Sequence, residues 1–155
     1  MPISIYLLDD FTAGHVIRMN SHIYNIGTEV AFQAYKKILF RLVENVNPDI
    51  SDGATDRVVR NDLKKEALSA YREDMKNNMP LRNVAVKAGW VILQPIETDY
   101  LSQPQIDGIM EGKNRLYMYV WFTWKGAPDN VDVCQWLIPR NLNRDLPLMW
   151  MPCKG

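Results

Sequence analysis

Hydrophobic and polar positions alternate along much of this chain, most clearly over residues 115–124. There Leu116, Met118, Val120 and Phe122 interleave with Tyr117, Tyr119, Trp121 and Thr123. A period of two puts each set on one face of a strand. Both sets are largely apolar, so this strand is expected at the centre of a sheet with both faces covered. Residues 131–138 read as its antiparallel partner, across a turn at 125–130 that holds Gly126 and Pro128. Residues 3–11, 16–24 and 84–96 read as further strands. Gly14 marks a turn after the first, Gly89 a bulge and Pro95 an edge position.

A helical period takes over at 55–78. Val59, Leu63, Ala67, Tyr71 and Met75 recur at every fourth residue, flanked by Leu68, and Arg60, Lys64, Lys65, Arg72, Glu73 and Lys76 occupy the far face. Asn77, Asn78 and Pro80 stop the helix. A shorter helix is expected over 102–111, with Ser102 as N-cap, Pro104 in its first turn and Gly112 closing it.

Residues 29–46 carry both periods. Ala31, Tyr35, Ile38, Leu42 and Val46 fit a helix with Thr28 as its cap, whereas Phe32, Ala34, Ile38, Phe40 and Leu42 fit a strand that follows a turn at 25–28. Spacing taken alone favours the helix.

The 155 residues suggest one domain spanning 1–155, with 55–78 as a helical insertion and 139–155 as a proline-punctuated tail. The 18 basic and 18 acidic side chains cancel, which disfavours nucleic acid as the main partner. No run approaches the roughly 18 apolar residues of a membrane span. The run Ile5, Tyr6, Leu7, Leu8 is cut off by Asp9 and Asp10, and no signal-peptide pattern is present, so an anchor is expected only in an upstream segment. Cys134 and Cys153 admit two readings. They are unrelated thiols, or they form one disulfide that ties the tail to the last strand in an oxidising compartment.

Motifs for catalysis are missing. His15 and His22 are seven apart, on opposite faces of an ideal strand, so no metal is expected there even with Cys134 or Asp10 nearby. Residues 47–58 fail as a calcium loop, with Asp52 where glycine is needed and Val58 where glutamate is needed. Residues 110–113 lack the spaced glycine and the hydroxyl of a phosphate-binding loop. No cofactor is expected. A polar cluster for an enzyme would have to come from His15, His22, Asp9 and Asp10.

Aromatic residues offer a sharper lead. All five tryptophans lie in the second half, at 90, 121, 124, 136 and 150. They form a β core, or some of them form an exposed platform for a sugar, a peptide or another subunit. For the platform, Trp121, Trp124 and Trp136 on neighbouring hairpin strands are the leading residues, while a ligand pocket would draw on Tyr117, Tyr119 and Trp121. From Gly112 onward there are six basic and three acidic side chains interleaved with four of the tryptophans, which directs the search for a partner to this hairpin.

Two blocks carry a resemblance. The first is the stretch Ile23-Tyr24-Asn25-Ile26-Gly27-Thr28-Glu29-Val30-Ala31-Phe32. The second runs from Val91 to Ile96 through Leu101, Ser102, Ile106, Ile109, Gly112 and Lys113 to Leu116-Tyr117-Met118-Tyr119 and Val133-Cys134-Gln135-Trp136. Together they resemble uncharacterised bacterial membrane-anchored envelope proteins with an immunoglobulin-like extracytoplasmic domain. The chain departs from that pattern at Val120, at Trp124-Lys125-Gly126 and in the 55–78 helix.

The resemblance implies a mainly β fold, an immunoglobulin-like antiparallel β-sandwich with an inserted amphipathic helix, in which 30–43 is a strand. The alternative is α+β, with 29–46 and 55–78 as two helices on one antiparallel sheet. The resemblance, the missing catalytic motifs and the aromatic hairpin together lead to the expectation of a non-catalytic interaction or accessory domain of the cell envelope, binding a protein partner or a second copy through that hairpin. A small-ligand-binding or sensory domain, or an enzyme of unrecognised type, are the other expectations. The setting is periplasmic if an anchor lies upstream and cytoplasmic otherwise.

Overall fold

The computed structural model describes residues 3–8, 16, 18–25, 28–30, 32, 34–46, 53–77, 87, 91–127, 131–138 and 150–154. In chain order the elements are β1 (Ile3–Leu8), β2 (Arg18–Asn25), β3 (Tyr35–Val43), α1 (Ala54–Lys76), β4 (Val91–Glu97), α2 (Gln103–Met110), β5 (Arg115–Thr123), β6 (Asp132–Leu137) and β7 (Trp150–Pro152). They make a three-stranded sheet ordered β1-β2-β4 and a four-stranded sheet ordered β3-β5-β6-β7, antiparallel throughout.

β5 is the spine of the larger sheet, and its two apolar faces are both used. Leu116, Met118 and Val120 pack with Leu101, Ile109 and Leu137, joined at the edges by Ile38, Phe40, Leu42, Ile96 and Trp150. Tyr117, Tyr119 and Trp121 point the other way, onto Val59, Leu63 and Ala67 of α1. The i+4 stripe therefore covers one sheet face, and α2 with Leu101 covers part of the other.

Residues 35–43 form a strand, which corrects the helical spacing of 29–46. Tyr35 to Val43 pairs in unbroken register with Thr123 to Arg115. Tyr35, Leu39 and Val43 pack toward α1, while Ile38, Phe40 and Leu42 pack toward the opposite cluster. A strand with two apolar faces contains i+3 and i+4 matches by coincidence, and the pairing with β5 decides the outcome.

Both helices form where their spacing indicates. In α2 the Ser102 hydroxyl accepts from the Gln105 backbone while the Gln105 side chain accepts from the Ser102 N–H, and Pro104 lies in the first turn. α1 starts without a side-chain cap. Its N-cap is Gly53, held at φ 73°, and a Cβ there would fall 2.6 Å from Lys154 Cβ. Only glycine suits both the left-handed backbone and that contact.

The result is an α+β chain with substantial antiparallel sheet. Ile96 of β4 packs on the face carrying Leu116, Met118 and Val120, opposite the face carrying Tyr117 and Tyr119. Among the described residues that latter face is packed by α1, whose Val59, Leu63 and Ala67 belong to the core. The expected turns at Gly14 and Gly27, the bulge at Gly89, Trp90, the 47–52 loop and the tail over 139–149 lie outside the described residues.

Candidate interaction surface

The face of β5 that the sequence nominates as a platform is closed. Tyr117 and Tyr119 are 0% exposed and Trp121 is 5% exposed. This corrects the expectation of an open aromatic surface or a ligand pocket at those three residues, because the α1 stripe fills the space in front of them. Trp121 also meets Tyr35 edge-on and Tyr71 at a tilt, at centroid separations of 6.0 and 5.1 Å.

Three tyrosines on this face donate hydroxyl hydrogen bonds to aspartates. Tyr117 donates to Asp56 Oδ1 at 2.5 Å, Tyr119 to Asp132 Oδ2 at 3.0 Å and Tyr35 to Asp74 Oδ2 at 2.7 Å. Arginines complete two of the sets. Arg115 reaches Asp56 at 3.1 Å, and Arg60 grips Asp132 with two bonds of 3.0 and 2.7 Å. Asp56 and Asp74 are 18 residues apart on α1, five helical turns, so they share the face that carries Val59, Leu63 and Ala67. The helix is thus latched polar at both ends and apolar between.

The electrostatics match that structural role. Burial, reinforced by the Asp56 hydrogen bond and opposed by Arg115, pushes the Tyr117 hydroxyl up to about 12. Burial and the Asp132 charge raise Tyr119 further, and burial with Asp74 does the same to Tyr35. All three remain proton donors at neutral pH, unsuited to act as bases or nucleophiles. Burial works against the Asp132 carboxylate, but the hydrogen bonds from Arg60 and Tyr119 outweigh it and hold its pKa below the ordinary value.

Trp124 and Trp136 fare differently from the buried three. Trp136 is half-buried, with the Arg115 guanidinium 4.3 Å above its ring. Trp124 lies just past the end of β5, half-buried, with its ring 5.7 Å from that of Phe122. The adjacent Lys125 N–H donates to the carbonyl of Phe32 at 2.9 Å, and Phe32 is 58% exposed. That backbone hydrogen bond holds exposed Phe32 beside the Trp124–Lys125 stretch, at the turn end of the β5–β6 hairpin. Sequence reasoning assigned Phe32 to the helix-or-strand segment and missed this neighbour. The period-two reading, which extends β3 back toward Phe32 alongside 123–125, is the signal that could have found it.

Two grooves lie on the described surface. One of about 500 Å³ beside α2 is polar, with Glu44, Asp107 and Glu111 facing Lys113. The other, of about 340 Å³, is lined by Lys36, Lys37, Ile38, Phe40, Ile96 and Glu97. Lys36 Nζ is buried there without a hydrogen-bond partner among the described residues, and burial lowers its pKa. β3 is an edge strand, and an inward-pointing lysine on such a strand discourages pairing with another chain.

Cys134 and Cys153 are joined by a disulfide, with Cα atoms 5.4 Å apart, so Cys134 offers no thiolate for catalysis. His22 lies within β2, while Asp9, Asp10 and His15 fall outside the described residues. Among the described residues no three His, Cys, Asp or Glu side chains are placed to hold a metal, and no helix is long and apolar enough to cross a membrane. No protein-family model, curated protein or solved structure matches the chain.

Proposed function

We propose that this chain is a non-catalytic interaction domain of a bacterial cell-envelope protein, docking a protein partner through the turn end of its β5–β6 hairpin. The observation that carries the reading is the exposed Phe32 held next to the Trp124–Lys125 stretch by the Lys125 N–H to Phe32 carbonyl hydrogen bond, at one end of the larger sheet. A large exposed aromatic beside a tryptophan and a cation is the composition of an interface centre. The tyrosines that would line a ligand pocket are committed to holding α1 instead. The envelope setting and an immunoglobulin-like placement of the two sheets belong to the same proposal. They draw support from the resemblance of residues 23–32 and 91–136, from the Cys134–Cys153 bond and from Ile96 of β4 packing on the core of the larger sheet.

Photo-crosslinking tests it. A benzoylphenylalanine at position 124 in the protein produced in bacteria should give a discrete crosslinked adduct. The same group at Tyr100, which is 67% exposed and distant in sequence, should give none. Equal labelling from both positions, or none from 124, would reject the hairpin end as the docking surface.

A further inference from the structure

We infer that the Cys134–Cys153 disulfide is a redox-sensitive latch whose state is transmitted to the N-terminus of α1. Three contacts meet at the tail. The Cys153 N–H donates to the Cys134 carbonyl at 3.0 Å, continuing the β6–β7 ladder one step past the strand. The next residue, Lys154, gives its backbone N–H to Asp56 Oδ2 at 2.9 Å. Lys154 Cβ also sits where a side chain at Gly53 would be, directly against the start of α1. The disulfide thus fixes the residue that both satisfies the buried Asp56 carboxylate and packs on the N-cap of the helix.

Beyond these contacts, the described part of the tail pairs with β6 and packs Trp150 on the core of the larger sheet. β7 is three residues long and lies at the edge of the sheet, with Met151 and Pro152 exposed. Strands this short depend on tertiary or covalent support. Cys153 is half-buried and Cys134 buried, so an incoming thiolate meets the Cys153 sulfur first.

The reductant is a dithiol, whether a thioredoxin-like protein or dithiothreitol. One thiolate attacks Cys153 Sγ, the S–S bond breaks, and Cys134 leaves as a thiolate that takes up a proton. The second thiol of the reductant then displaces Cys153, which is protonated in turn. The dithiol is oxidised to a disulfide, and two electrons and two protons reach the cysteines.

Freed of the bond, β7 leaves the edge of β6 and takes the Lys154 N–H with it. Asp56 keeps Tyr117 and Arg115 but loses one donor, and Gly53 loses its cover. The tail contributes Trp150 to one core cluster and Cys153 to the other, and the remaining members of both clusters come from other elements. The reduced state is therefore a folded domain with a loosened first turn of α1 and an uncovered β6 edge.

Amide hydrogen exchange on the whole protein, oxidised and after dithiothreitol, tests the latch. Reduction should speed exchange at the amides of residues 57–60 by about ten-fold or more, while those of 116–120 stay within about two-fold. Lys154→Pro, which removes the donated N–H while leaving both cysteines, should loosen the same turn in the oxidised protein. Unchanged protection at 57–60 on reduction would overturn the inference. So would loss of protection across 116–120, which would make the disulfide a global staple, or a Lys154→Pro protein with wild-type protection at 57–60.

Discussion

The hydroxyl of Tyr117 sits 2.5 Å from the Asp56 carboxylate, joining the middle of the central strand to the first turn of a helix 61 residues earlier in the chain. Both side chains are buried, and Asp56 also accepts from Arg115 and from the Lys154 backbone. A buried carboxylate with this many donors fixes where the helix begins relative to the sheet. Removing it leaves Arg115 and Tyr117 facing an empty acceptor position. Asp56→Ala is expected to cost about 3–5 kcal/mol in urea unfolding, and Tyr117→Phe about 1–3 kcal/mol, since only the first strands a charge.

Acid should weaken the fold through Asp132. Its pKa is depressed in the folded protein, so the unfolded chain binds a proton more readily across that interval. The stabilisation is present above the ordinary carboxylate value of 3.8 and disappears as pH falls through the lower folded value. Asp132→Asn is expected to be less stable at pH 7 by about 2 kcal/mol, a figure reduced because Arg60 is partly exposed and screened. The same variant should show a shallower loss of stability below about pH 4, measured by urea midpoints across a pH series.

Gly53 carries two constraints at once, a positive φ and the contact with Lys154. Gly53→Ala should therefore lower stability by about 1–2 kcal/mol, read as a fall in the midpoint of thermal unfolding. Glycine substitutions that remove unfolded-state entropy without strain would raise it instead.

Lys36 is expected to respond in the opposite direction. Its buried amine, without a hydrogen-bond partner among the described residues, is a standing cost to the fold, and Lys36→Met should stabilise the protein by about 1 kcal/mol near neutral pH. The folded pKa lies below 10.5, so the wild type gains stability as pH rises between the two values and the gap to the variant narrows. If the lysine guards the β3 edge, the variant should also associate with rising concentration in sedimentation velocity.

The local elements were legible where one period ruled. The alternation at 115–124 and the stripe from Val59 to Tyr71 each specify an element and its apolar face, and Ser102 with Pro104 marks the start of α2. What the pattern could not convey was which face meets which. Tyr117, Tyr119 and Trp121 look like an exposed platform and a buried seam alike until α1 is placed over them. The segment 29–46 carried two periods, and long-range pairing with β5 settled it. The aspartates went unnoticed because Asp56 and Asp74 are ordinary members of a charged helix, and their importance comes only from the tyrosines opposite. Arg60 was assigned to the far face, yet its long side chain reaches Asp132 from the helix flank.

That the aromatic face of β5 is a seam latched to α1, and not an open platform, is tested most directly by a pH titration of ring-labelled tyrosines followed by NMR. The Tyr117 signal should stay unchanged through its ordinary value of 10.0 and move only near 12, and those of Tyr119 and Tyr35 should also hold past 10.0. Ionisation of any of the three at its ordinary value in the folded protein would contradict the account.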